Sequence, residues 1–214
     1  MSINPKKEIV ISLKDVGIQY RRRSGIFKKA ESFTALDSVS FDIYKGETLG
    51  ILGRNGAGKS TLLKVIAGII KPDFGKVENY GVTVSLLALQ AGFDSELTGY
   101  DNAVISGMLM GFRRKEVEDR LEEIKKFSGL GEFMDRPVKT YSSGMRSRLG
   151  FSVAMYLSPD VLLLDEILSV GDKEFREKAE AEMLKKIHSE QTVILVSHSE
   201  SQIKRLCDRT ISLN

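Results

Sequence analysis

Residues 53–61, GRNGAGKST, follow the apolar run TLGIL (48–52) and open the stretch KSTLLKVIAGII. An apolar strand that enters a helix through a glycine-rich turn of this spacing is a phosphate loop. The composition has a physical reason. Gly53, Gly56 and Gly58 let backbone N–H groups curl around phosphate oxygens with no side chain between, while Asn55 and Ala57 occupy the positions in the middle. Lys59 supplies a point charge for the β- and γ-phosphates, and the Ser60 hydroxyl, next to Thr61, is a hard oxygen suited to Mg²⁺.

The rest of the chain fits a parallel α/β core around that loop. At 214 residues it has the length for one domain with a real core. Residues 8–20 and 34–44 read as strands, with Val39, Phe41 and Ile43 alternating with Ser40 and Asp42. Short apolar strands return at VLLLD (161–165) and TVILVSH (192–198), separated by a helix over 173–188. Between them, RRKEVEDRLEEIKKF places Val117, Leu121, Ile124 and Phe127 on one helical face. The segment at about 88–158 is therefore expected as a helical lobe inserted in a single domain spanning 1–214.

A net charge of +3 is too small to imply a nucleic-acid partner, and none is expected. Cys207 has no second cysteine to pair with and sits by Ile203 and Leu206, which reads as an inert buried thiol. The first residues lack the long apolar core of a signal peptide, so a cytosolic protein is expected, reaching a membrane through a surface or a partner.

Two further stretches carry chemistry. VLLLDE ends a strand with Asp165 and Glu166, whose side chains point to opposite faces and so cannot share one task. Asp165 suits the Mg²⁺ shell, Glu166 can polarise an attacking water, and His198, after another strand, lies where it can contact the γ-phosphate. In KTYSSGMRSRLGF (139–151) and the residues after it, Met145, Leu149, Val153 and Tyr156 recur at helical spacing behind Ser142, Ser143 and Gly144. Serines ahead of an apolar helical face are a capping signal, and such an end also binds anions.

GRNGAGKST, YSSGM, VLLLDE, SVGD and SHSE, in this order, resemble the nucleotide-binding subunit of an ABC transporter over about residues 8–213. YSSGM replaces the usual Leu-Ser-Gly-Gly-Gln, and with EILSVGDKEF and QAGFDSELTGYDN it resembles the branch that exports capsule, O-antigen and teichoic acid. The resemblance implies an ATP-hydrolysing core with a mostly parallel sheet, an N-terminal antiparallel β subdomain and the inserted lobe. It implies a homodimer in which Ser142 and Gly144 of one subunit meet the γ-phosphate held by the other, with Asp172 as a dimer contact. Two copies of a polytopic membrane permease are the further partners, placing the chain at the cytoplasmic face of the plasma or inner membrane. Tyr20 is the implied adenine platform, with Phe27 and Phe33 as alternatives. Gln90 matches the glutamine that senses Mg²⁺, although most members place it one residue further from the Leu-Thr pair, where this chain has Leu89.

Other classes fit less well. Soluble ABC proteins need a long coiled-coil insert or two cassettes, and a GTPase would carry Asn-Lys-x-Asp. Export of a lipid or drug is the alternative to a glycan. Residues 21–33 hold five Lys/Arg around Ile26-Phe27, which is either a solvated loop or a segment for the membrane surface or a glycolipid head group.

Overall fold

A computed structural model describes residues 8–22, 31–86, 92–165 and 171–213. The chain divides into two compact units, residues 1–82 with 190–214, and residues 83–189.

The first unit contains two sheets. β1 (Ile9–Arg22) pairs antiparallel with β2 (Glu31–Tyr44) and with β4 (Phe74–Asn79). The hairpin runs further than its apolar alternation indicates, since Arg21 pairs with Ser32 and Arg22 with Glu31. Backbone pairing continues here past the point where a buried face would specify it. Residues 23–30, with Phe27, lie outside the described residues. The second sheet places β3 (Thr48–Leu52) between β7 (Thr192–Val196) and β8 (Arg209–Ser212), all parallel. β7 is buried along its whole length, which explains its unbroken apolar run. A buried ion pair fastens the two sheets. Glu47, 3% exposed, takes Arg209 Nη2 at 2.7 Å and Nε at 3.2 Å, and Arg209 also donates to the Asp42 carbonyl.

α1 (Lys59–Ile66) stops earlier than the apolar pattern to residue 70 indicates. Gly68 takes φ 71°, and its N–H turns back to the Val65 carbonyl. A glycine there ends the helix at no steric cost.

The second unit pairs β5 (Val84–Leu86) with β6 (Val161–Asp165), again parallel, and gathers α2 (Gly99–Leu109), α3 (Arg114–Glu118), α4 (Leu121–Ser128), α5 (Ser143–Tyr156) and α6 (Lys173–Ile187). The expected single helix around 113–127 is two, broken at Asp119–Arg120, yet Val117, Ile124 and Phe127 are all buried. α5 is the centre of this unit. Leu149 and Val153 face an apolar cluster with Ala103, Val117 and Ile124, and Met145 and Tyr156 pack at its margin. Phe151 is buried as well, its ring 6.2 Å from Phe127 and 5.9 Å from Phe175. The helix has apolar contacts on more than one side, so its sequence shows a weaker stripe than a surface helix would.

Candidate nucleotide-binding site

The parallel strands of the first unit bring their C-terminal ends to one edge. The glycine loop follows β3, His198 follows β7, and Leu213 follows β8, with the Leu213 N–H donating to the Leu52 carbonyl at 2.8 Å. This is the edge at which ligands bind in open α/β sheets. A cleft of about 730 Å³ there is lined by Gly53, Arg54, Asn55, His198, Glu200 and Leu213, so the loop and the histidine share a site.

The loop is shaped by its glycines. Gly58 has φ 85°, and a Cβ there would lie 2.1 Å from the Ala35 carbonyl oxygen. Gly58 is also the N-cap of α1 and offers no side-chain cap, and the first turn carries no acidic residue. The partial positive charge at the start of α1 therefore has no acidic side chain in its first turn to offset it, an arrangement that suits an anion. Lys59 is 7% exposed and donates to the carbonyls of Gly53 at 2.8 Å and Arg54 at 3.0 Å. Its ammonium is thus held inside the loop it serves. Ser60 is exposed and Thr61 half-buried, beside it on α1.

His198 sits in a turn fixed by serines. Ser197 Oγ donates to Gln202 Oε1 at 2.9 Å and accepts the Ser199 N–H at 3.0 Å. Ser199 caps α7 (Glu200–Leu206) by accepting the Gln202 N–H. The imidazole is exposed on this braced turn.

Tyr20 lies opposite Phe33 in the β1–β2 register, and both are exposed, Tyr20 at 44% and Phe33 at 59%. The two candidate platforms are therefore neighbours on one hairpin. Neighbouring aromatic faces of this kind suit base stacking.

In the second unit, Ser142 is the N-cap of α5 and its hydroxyl accepts the Met145 N–H at 3.1 Å. The cap is therefore Ser142, and Ser143 is the first helical residue. The Ser142 hydroxyl still has its own proton to donate outward. Gly144 is helical, and a Cβ there would meet only Ser142 Oγ at 3.8 Å. Nothing among the described residues demands glycine at 144. Arg146 Nη1 donates to the Tyr141 carbonyl at 2.8 Å, and Tyr141 donates its hydroxyl to the Phe133 carbonyl at 2.5 Å. Burial pushes the Tyr141 phenol up to about 12, which keeps that donor protonated. Asp172 caps α6, accepting the Phe175 N–H at 2.9 Å. Asp165 closes β6, half-buried, while Glu166 and Gln90 lie outside the described residues.

The sequence profile of the family described as "ABC transporter" matches residues 36–169. The chain belongs to the ABC transporter family. Among ABC proteins it is 43% identical, over 93% of its length and 80% of the relative, to the O-antigen export system ATP-binding protein RfbB of Klebsiella pneumoniae. It is 46% identical, over 85% of its length, to the teichoic acids export ATP-binding protein TagH of Enterococcus faecalis, of which it spans 40%. The ABC transporter protein AbcA of Aeromonas salmonicida shares 47% identity, and the chain spans 59% of it. In fold, the chain matches the dimeric, ADP- and phosphate-bound ATP-binding cassette MJ0796 with a TM-score of 0.76 over 95% of its length, at 24% identity. No helix among the described residues is long and apolar enough to cross a membrane.

Two residues of this ABC domain went unassigned in the sequence. Asn102 is fully buried and donates to the carbonyls of Asp94, Leu97 and Thr98 while accepting the Asp94 N–H, so it ties down the loop after residue 91. Arg148 reaches α6. Both are polar residues among apolar ones, and only their contacts distinguish them from solvated side chains.

Proposed function

We propose that the chain is the ATP-hydrolysing subunit of an exporter that moves a lipid-linked cell-surface polysaccharide across the cytoplasmic membrane. The observation that carries the nucleotide reading is the uncapped start of α1, with Lys59 buried in a glycine loop of positive φ. The relatives named for O-antigen and teichoic acid export support the polysaccharide reading.

In this reading the loop from Gly53 to Thr61 holds the ATP phosphates by backbone N–H groups and Lys59. Tyr20, beside Phe33, stacks on adenine. Bound Mg²⁺ would neutralise developing charge on the phosphates, with Ser60, Asp165 and Gln90 as its protein contacts. Few protein ligands suffice, since Mg²⁺ in such sites keeps waters and phosphate oxygens. Glu166 orients the water and His198 contacts the γ-phosphate.

Ser142 and Gly144 serve the nucleotide of a second copy, with Asp172 at the same interface. Two features of α5 favour an anion there. Its first turn has no acidic residue, and Arg146 follows closely, against the usual charge preference of a helix start. A polytopic permease, two copies per assembly, completes the transporter at the inner face of the membrane. The basic segment 21–33 contacts the membrane surface or the glycolipid head group.

The test is genetic and enzymatic together. Cells lacking this gene should lose the surface polysaccharide and accumulate its lipid-linked form inside. The wild-type gene should restore display, and Glu166→Gln should not, with ATP still bound and hydrolysis slowed on the order of 10²–10⁴-fold. Undiminished surface polysaccharide in the deletion strain overturns the export reading. Near-normal turnover by Glu166→Gln removes that residue from its role.

A further inference from the structure

Arg148 stands on the buried-centre helix α5, two turns beyond Ser142. Its guanidinium lies 3.8 Å from the Asp172 carboxylate and 5.9 Å from the Phe175 ring centroid. Its stem is equally engaged. A Cβ on Gly171, which has φ 68°, would come within 3.2 Å of Arg148 Cγ and 3.1 Å of the Phe175 ring. A Cβ at 171 would therefore make the Arg148 stem and the Phe175 ring give by a few tenths of an ångström. Arg148 is 24% exposed at its side chain, so its stem is packed while its charge reaches the rim.

Asp172 has two tasks at once. One carboxylate oxygen caps α6 through the Phe175 N–H, and the other faces Arg148. A capping carboxylate is held in one orientation, so the arginine meets a fixed acceptor. Arg146, two residues earlier, binds the Tyr141 carbonyl just before Ser142. The two arginines thus brace α5 at its entry and against α6.

We propose that Arg148 is a positioning residue that locks the start of α6 to α5, so that Asp172 and Ser142 are presented to a second subunit as one rigid surface. This rests on the composite-site reading above and adds to it a specific intramolecular strut. Arg148 is not assigned to the nucleotide itself.

The magnitude follows from exposure. The Asp172 side chain is 64% exposed, and a pair of that kind is worth about threefold in an equilibrium constant. A symmetric dimer contains the strut twice, so dimerisation should weaken about tenfold.

The experiment uses the full chain with Glu166→Gln, and reads ATP-dependent dimerisation by sedimentation. Adding Arg148→Gln, which keeps the packed stem, should weaken dimers about tenfold with monomer ATP affinity unchanged. Adding Asp172→Asn as well should cost no more than Asp172→Asn alone, because Arg148 acts only through that carboxylate. Hydrogen exchange of the monomer should show faster exchange at residues 172–176 in Arg148→Gln. Full-strength dimers in Arg148→Gln, or additive losses in the double variant, overturn the strut. If the Glu166→Gln parent forms no dimers in ATP, the composite-site reading falls. Hydrogen exchange then decides the strut alone, with unchanged exchange at 172–176 overturning it.

Discussion

The starts of α1 and α5 are both serine- and glycine-bearing helix ends, and they are built in opposite ways. α1 begins at a left-handed glycine with no side-chain cap, and the nearest charge is the buried Lys59. α5 begins at a serine that satisfies its own first turn, behind an arginine that braces the preceding residue. One end is incomplete without an anion, since its backbone donors have no internal substitute. The other has a serine cap for one of its opening donors and adds an outward hydroxyl proton and an unobstructed glycine. Under the proposed function, the first would hold phosphate by itself and the second would close over phosphate presented to it.

The sharpest way to break this contrast is to give each helix start the same alanine. At Gly58 the new Cβ collides with the Ala35 carbonyl and the positive φ is strained, costing on the order of 1–3 kcal/mol. Gly58→Ala should lower the melting temperature and weaken ATP binding about a hundredfold or more, equivalent to about 2.7 kcal/mol. Normal affinity in calorimetric titration would show that the loop does not need this conformation.

At Gly144 the outcome should invert. No contact is closer than 3.8 Å, so alanine should stabilise the helix by about 0.5–1 kcal/mol while blocking ATP-dependent dimers. Ser142→Ala should cost about 1 kcal/mol through the lost cap, whereas Ser142→Asp should keep the cap and still block dimers. Thermal melts and sedimentation separate these effects. If Gly144→Ala both stabilises the chain and dimerises normally, α5 is an ordinary capped helix.

The phosphate loop was legible because its residues are local in sequence and their spacing is itself the structure. The parallel strands β3, β6 and β7 were equally clear from their apolar runs. β4 and β5 were not anticipated, since FGKVEN is largely exposed and VSL is too short to show a period. The buried roles of Phe151, Asn102 and Arg148 arise from contacts with residues distant in the chain. Such contacts leave no periodic trace, and a polar residue that braces a loop reads like one in solvent. The break at Asp119–Arg120 was hidden because α3 and α4 keep Val117, Ile124 and Phe127 pointing inward on both sides of it.

The smallest effect compares the two units through a weak acid in each, the half-buried Cys207 and the buried Tyr141. Burial raises the Cys207 thiol to about 11 in the first unit and the Tyr141 phenol to about 12 in the second. Both folded-state values lie above the ordinary ones, so each contribution to stability is intact below the unfolded value. It is lost as pH rises through the folded one, from about pH 9 to 11 for Cys207 and about pH 10 to 12 for Tyr141. Cys207→Ala should make the fall in melting temperature over the lower window shallower. An unchanged slope would remove the thiol from the alkaline transition.

The fastening of Glu47 to Arg209 has a consequence for how the chain is made. The partners are 162 residues apart, and β3 needs both β7 and β8, which lie on the far side of the second unit in sequence. At roughly 5–20 residues per second, β3 waits on the order of ten seconds or more on the ribosome before its neighbours exist. The second unit is contiguous, and its strands and helices can assemble during that interval. The first unit must then close late, through pairings of high sequence separation, which are the slow kind. Until then TLGIL is an apolar strand with two open edges, the state of this protein most exposed to chaperones and to misassembly.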